Sequence, residues 1–244
     1  MIGRLMRLIG SITFLGVSGV MGCSETSLPV TIEPIPTPTI SPSQYWQEAA
    51  DSFRSLKTVH FHLRHEVGAT DIGNGILITD ALGRVEFPDR FSFEATGGLR
   101  GLNIHMDIAI TRIGERAFFR DPLSGIWRQV DIGILPFQFG ALNKTMANIL
   151  KLSKNIQFSG MEKIGGTTIY SLTGESDAAT LRGLIPDVID GGPIRVEMHM
   201  DIQDYRIKAI RFEGKLIESD SPDVIRILSF SDFDKPVIIE DPSG

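Results

Sequence analysis

The feature that most limits what this chain can fold into is a change of period after Lys57. In "TVHFHLRHEV", Val59, Phe61 and Leu63 alternate with His60, His62 and Arg64. In "LNIHMDIAIT", Leu102, Ile104, Met106, Ile108 and Ile110 alternate with Asn103, His105 and Asp107. In "IRVEMHMDI", Val196, Met198 and Met200 alternate with Glu197, His199 and Asp201. Side chains of a strand point to opposite faces in turn, so this pattern predicts antiparallel strands with one buried and one wet face. Further strands are predicted at about 74–81, 84–88, 90–96, 115–120, 126–130, 155–162, 167–174, 205–217 and 224–233. Turn residues separate them, as at Phe87-Pro88-Asp89-Arg90, Thr96-Gly97-Gly98 and Gly165-Gly166.

Three stretches keep the helical period instead. In "QYWQEAADSFRSL", Trp46, Ala49, Ala50, Phe53 and Leu56 share a face, and Ser43 is placed as N-cap of a helix over 43–56. "GALNKTMANILKLS" (140–153) puts Leu142, Met146, Ile149 and Leu150 on one face. "SDAATLRGLIPDVI" (176–189) opens on a Ser-Asp start signal and breaks near Pro186. About eleven strands and three helices make an α+β domain over residues 44–244. A long antiparallel sheet twists and curves. Helices laid on its concave face close a core or a cavity.

The residues before the domain are of another kind. Arg4 and Arg7 precede an uncharged run from Leu8 to Met21. At about 14 residues it suits the apolar region of a signal peptide and is shorter than the ~18–20 that span a bilayer. It ends in Val20-Met21-Gly22-Cys23, with the only cysteine of the 244 residues. This resembles the lipobox of bacterial lipoproteins, with Met21 where Ala, Ser or Thr is more usual. The resemblance implies cleavage after residue 22 and an acylated Cys23 that holds the protein at the cell membrane. Two or more acyl chains give stable anchoring where one is marginal. Five of the 13 prolines follow (Pro29, Pro34, Pro36, Pro38 and Pro42), so residues 23–43 are expected to form an extended tether without a core.

Charge narrows the partners. Removal of residues 1–22 takes away Arg4 and Arg7, leaving 22 Lys and Arg against 30 Asp and Glu, net −8. Such a surface is unsuited to nucleic acid, which is bound largely through Lys and Arg, or to anionic lipid surfaces. Membrane attachment is then expected from the acyl chains. His60 and His62 share one strand face and invite a zinc reading, with His105 and His199 as distant candidates. A solvated polar face is the simpler reading, because no carboxylate or cysteine cluster completes a ligand set. "HEVGA" (65–69) lacks the second His of a metalloprotease motif, and "TGGLRG" (96–101) reads as a hairpin loop, since no helix follows it to cradle a phosphate. No Gly-x-Ser-x-Gly follows a strand in the mature domain. Neither a catalytic residue nor a cofactor is expected.

The ordered set of segments resembles the LppX/LprG (LppX_LprAFG) family of actinobacterial lipoproteins, with an architecture like the LolA and LolB carriers. The segments that carry it are the lipobox, the Pro-rich tether and the helix followed by "VHFHLRHEV". "IGERAFFRDPLSGIWRQVD" with Trp127 and Asp131 comes next, then the helix at 140–153. Last are "IQFSGMEKIGGTTIYSLTGE" with Gly160, Glu162, Ile164, Gly166 and Tyr170, and the closing "FDKPVIIEDP". The resemblance implies a curved half-barrel that binds acylated lipids or glycolipids in an apolar cavity and carries them across the envelope without catalysis. It also implies hand-over to a membrane or a membrane transporter. The side chains expected to line the cavity are Phe61, Leu63, Ile104, Met106, Ile108, Met198 and Met200 of the strands and Met146, Ile149 and Leu150 of the covering helix. The alternatives are an envelope scaffold or sensor module with a filled core, and a surface enzyme using a metal at His60 and His62.

Overall fold

A computed structural model describes residues 40–73, 75–102 and 104–243. The signal peptide, Cys23 and nearly all of the tether lie outside the described residues. Within the described part, twelve strands form one antiparallel sheet: β1 (Thr58–Val67), β2 (Thr70–Asp71), β3 (Ile76–Glu86), β4 (Arg90–Leu99), β5 (His105–Ile113), β6 (Arg116–Arg120), β7 (Trp127–Val130), β8 (Lys154–Ile164), β9 (Thr167–Asp177), β10 (Pro193–Asp201), β11 (Ile207–Glu213) and β12 (Ile225–Ser231). Their order is β7-β6-β5-β4-β3-β1-β12-β11-β10-β9-β8, with β2 paired to β3. The first and last strands therefore lie side by side mid-sheet, Phe61 opposite Phe230 and Leu63 opposite Leu228. The two outermost strands, β7 and β8, do not pair, so the sheet is open. Register shifts at His65/Val67, Ile78/Asp80 and His199/Met200 are bulges, which bend strands and strengthen their twist.

The α+β class and the open antiparallel sheet match the expectation; the details differ where local chemistry outweighed periodicity. Two segments expected at 74–81 and 84–88 are one strand, because the bulge at Ile78/Asp80 restores Ala81, Gly83 and Val85 to the inner face. Gly97 and Gly98, read as part of a hairpin turn, lie inside β4. A Cβ at Gly97 would overlap the Leu77 carbonyl, so glycine there permits close strand approach. Only two α-helices occur among the described residues: α1 (Pro42–Arg54) and α2 (Leu142–Leu152). The third expected helix, 176–189, is a 3-10 turn at Ala178–Leu181 followed by irregular chain, since Gly183 and Pro186 stop its propagation.

Helix α1 starts earlier than its pattern suggested. Ser41, not Ser43, is the N-cap: its side chain accepts from Gln44 N–H at 3.2 Å, and Gln44 Oε1 accepts from Ser41 N–H at 2.9 Å. That reciprocal capping box satisfies two N–H groups the helix leaves free, and Pro42 sits where its missing N–H costs nothing. Trp46, Ala49, Ala50 and Phe53 then face the sheet. Trp46 Nε1–H donates to Leu150 O of α2 at 2.6 Å, and Asn143 Nδ2–H of α2 donates to Arg54 O of α1 at 3.2 Å. Each bond supplies a donor to a helix-terminal carbonyl that has no partner within its own helix. The core lies between these helices and the inner face of the sheet.

Candidate functional site

Besides the two helices, two irregular segments, 131–141 and 178–189, cover the inner face. Phe139 is the centre of the first. Its ring lies 4.7 Å from Phe61, 5.2 Å from Phe93, 5.3 Å from Phe137 and 5.4 Å from Phe91. Phe61 lies flat over Gly83, its cross-strand partner, and any Cβ at Gly83 would collide with the ring. Gly140 likewise lets the segment approach the Pro88 carbonyl. A backbone bond runs from Gln138 N–H of the first segment to Leu184 O of the second, 2.9 Å. It joins the two covering segments to each other. Segment 178–189 is also tied at its two ends by backbone bonds, Ala178 N–H to Gly192 O and Ile189 N–H to Leu216 O, both 2.8 Å. Between those ends side-chain packing, not a ladder of hydrogen bonds, holds the cover on the sheet, which is the profile of an element that opens locally.

Beneath this cover lies a cavity of about 50 Å³. Phe61, Leu63 and Leu228 form its floor from the sheet; Phe139, Met146 and Leu184 close it from above. Thr70, Phe137 and Ile185 line the cavity and also an outer cleft of about 540 Å³, which continues to Asp71, Ile134, Asp187 and Glu218. The outer cleft is thus the mouth of the cavity. Ile134 on its rim is 68% exposed, although its neighbour Leu135 is buried.

One charged residue lines the cavity. Arg226 is 4% exposed and shares the inner face of β12 with Leu228 and Phe230. Its Nη2 reaches Asp220 Oδ1 at 2.7 Å, and its Nε–H donates to Thr70 Oγ1 at 2.7 Å. Asp220 in turn accepts from Leu216 N–H (2.8 Å) and Ile217 N–H (3.2 Å). Burial lowers the Arg226 pKa from its usual range, and Asp220 opposes that shift. Thr70 Oγ1 also meets His65 Nε2 at 2.8 Å, and His65 Nδ1 lies 2.9 Å from Thr79 O. A carbonyl only accepts, so Nδ1 carries the proton and Nε2 accepts from the Thr70 hydroxyl. Burial, with the Arg226 charge in support, lowers the His65 pKa and keeps that imidazole neutral.

Of the expected lining residues, Phe61, Leu63 and Met146 lie at the cavity. Ile108, Ile149, Leu150, Met198 and Met200 are buried in the surrounding core. Met106 is half-buried on β5. Ile104 is 45% exposed, because the strand starts one residue later, at His105. Phe137, Phe139, Leu184 and Arg226 had not been anticipated. The Phe residues stand in an aperiodic segment, and only the parity of Arg226 with Leu228 and Phe230 could have signalled it.

The four histidines that invited a zinc reading, His60, His62, His105 and His199, lie on the outer face. His60 pairs with Asp232 (3.1 Å), His62 with Asp80 (2.7 Å), and His199 Nδ1 meets Ser171 Oγ at 2.9 Å. Among the described residues no three His, Cys, Asp or Glu side chains converge as a metal site.

A family model described as LppX_LprAFG lipoprotein matches residues 41–239. The chain belongs to the LppX_LprAFG lipoprotein family. Its fold is that of LprF from Mycobacterium bovis, with a TM-score of 0.63 at 15% identity over 83% of this chain and 97% of that one. The Mycobacterium tuberculosis lipoprotein LppX is similar at a TM-score of 0.53 and 17% identity, covering 82% of this chain and 98% of that one. No curated protein sequence matches significantly. For this LppX_LprAFG member, the covered inner face of an open sheet is the feature that a binding function would use.

Proposed function

We propose that this protein is a cell-envelope lipoprotein that takes the acyl chain of a lipid or glycolipid between the sheet and its cover, and delivers it to a membrane or a membrane transporter. The observation that carries the reading is the apolar cavity beneath a cover that has no strand ladder to the sheet and is held over it mainly by side-chain packing. At about 50 Å³ the cavity has room for only a few water molecules, each needing about 10–15 Å³ on the same measure, and is far too small for such a chain. Acyl entry therefore requires segments 131–141 and 178–189 to lift. Burial of a sixteen-carbon chain is worth roughly 13 kcal/mol at ~0.8 kcal/mol per methylene, which offsets the lost packing of a few Phe and Leu contacts. Slow escape into water and fast hand-over on contact both follow from a cover that opens only against an apolar acceptor. The protein then works as a binding protein and not as a catalyst.

The expected result is that the full chain, stripped of bound lipid, takes up fluorescent diacylglycerol. Leu184→Trp, which fills the cavity, should lower that affinity roughly tenfold, a change of about 1.4 kcal/mol. Absence of uptake by the stripped wild-type chain would overturn the reading.

The small cavity favours a second reading, a non-catalytic scaffold or sensor module with a filled core. Mass spectrometry of an organic extract of the purified protein distinguishes the two: a carrier brings lipid with it, a scaffold does not. The anchor is proposed at Cys23, acylated after removal of residues 1–22, with the Pro-rich chain between it and α1 as the tether. Cys23→Ala should move the protein from the membrane fraction to the soluble fraction without changing its far-UV circular dichroism; retention in the membrane would count against the anchor.

A further inference from the structure

We propose that Arg226 holds the anionic head of the bound lipid, a carboxylate or phosphate, while its acyl chain fills the adjoining apolar cavity. This rests on the lipid-binding reading above. A guanidinium carries five N–H donors. In Arg226, Nε–H is used by Thr70 and Nη2 by Asp220, but buried Nη1 has no hydrogen-bond acceptor among the described residues. A buried donor left unused costs free energy comparable to a lost hydrogen bond, so the site gains when a ligand oxygen arrives.

Position supports the same assignment. Arg226 is the one charged residue lining the cavity, and its partner Thr70 also lines the mouth. A lipid with its chain inside and its head toward the mouth would place the head beside them. Guanidinium matches carboxylate and phosphate geometry better than an ammonium does. Asp220 is held by two backbone N–H groups, so it fixes the guanidinium and leaves Nη1 free for a second acceptor. The mouth itself carries Asp71, Asp187 and Glu218 and no Lys or Arg. A small soluble anion is repelled there, whereas a lipid-borne anion is drawn in by its chain.

The test measures dissociation constants of the stripped full chain, carrying Cys23→Ala so that no acyl group of its own competes. The ligands are two pairs differing only in head charge: palmitate against hexadecanol, and phosphatidate against diacylglycerol. The charged member of at least one pair should bind ten- to a hundredfold tighter, and inorganic phosphate alone should neither bind nor compete. In Arg226→Met/Asp220→Asn, which removes both charges together, that preference should fall to within about twofold of unity. Equal affinity for charged and uncharged lipids in the wild type would overturn the proposal and leave lipid binding intact. Binding of neither would overturn the lipid reading itself. Phosphate competing as well as phosphatidate would assign the site to a free anion and overturn the proposal as well. The wild-type comparison stands even if the double variant fails to fold. A double variant that folds and keeps its preference for the charged lipid would also refute it.

Discussion

Asp220→Ala is expected to destabilise the folded protein by about 3–5 kcal/mol. Its side chain is 1% exposed and that of Arg226 is 4% exposed, so neither charge has water to fall back on. Removing the carboxylate leaves the guanidinium buried with Thr70 as its remaining partner, and leaves Leu216 N–H and Ile217 N–H without their acceptor. The loss lies mainly in the orphaned charge and not in the contact itself. Arg226→Met added to Asp220→Asn should therefore cost less than the sum of the two single changes, with a coupling of about 1–3 kcal/mol. Urea unfolding of the four proteins measures this. Additive costs would show that the pair is hydrated in solution and contributes little.

Trp46→Ala should have an effect of similar size, about 3–5 kcal/mol. Trp46 is among the largest fully buried side chains and joins the two helices. Its loss opens a cavity between α1 and the sheet and strips Leu150 O of its donor. For a domain of this size the melting temperature should drop by roughly 6–20 °C. Trp46→Phe separates the two contributions: most of the ring remains, and the unpaired Leu150 carbonyl should cost about 1–3 kcal/mol. A Phe variant as stable as wild type would mean that water reaches that carbonyl.

Both effects depend on pairings at long sequence separation, and this is where sequence reading reached its limit. The alternation in 58–67 and 193–201 identified strands and their buried faces, because a period of two has one structural meaning when one face is apolar. The helical face of Leu142, Met146, Ile149 and Leu150 was equally legible. The 176–189 segment misled, since its start signal is also that of a 3-10 turn: Asp177 caps Ala179 N–H at 2.8 Å, and Gly183 and Pro186 then end it. Ile104 misled because alternation continued past the residue at which pairing begins. Of the cavity, Phe61, Leu63 and Met146 were within reach of pattern reasoning. Phe137 and Phe139 were not, since they belong to chain with no repeat and are buried only by what they meet.

The sequence by itself determined an antiparallel α+β domain and which face of most strands is buried, since both follow from local periodicity and turn chemistry. Its ordered segments also pointed to the family, which the match over residues 41–239 bears out. Tertiary structure alone decided that β1 and β12 are neighbours, that two irregular segments cover the inner face, and that Asp220 and Thr70 meet Arg226 beside the cavity. The physical reason is one of range. Periodicity records where a side chain points, whereas a buried ion pair and the size of a cavity depend on which distant residues arrive at the same place.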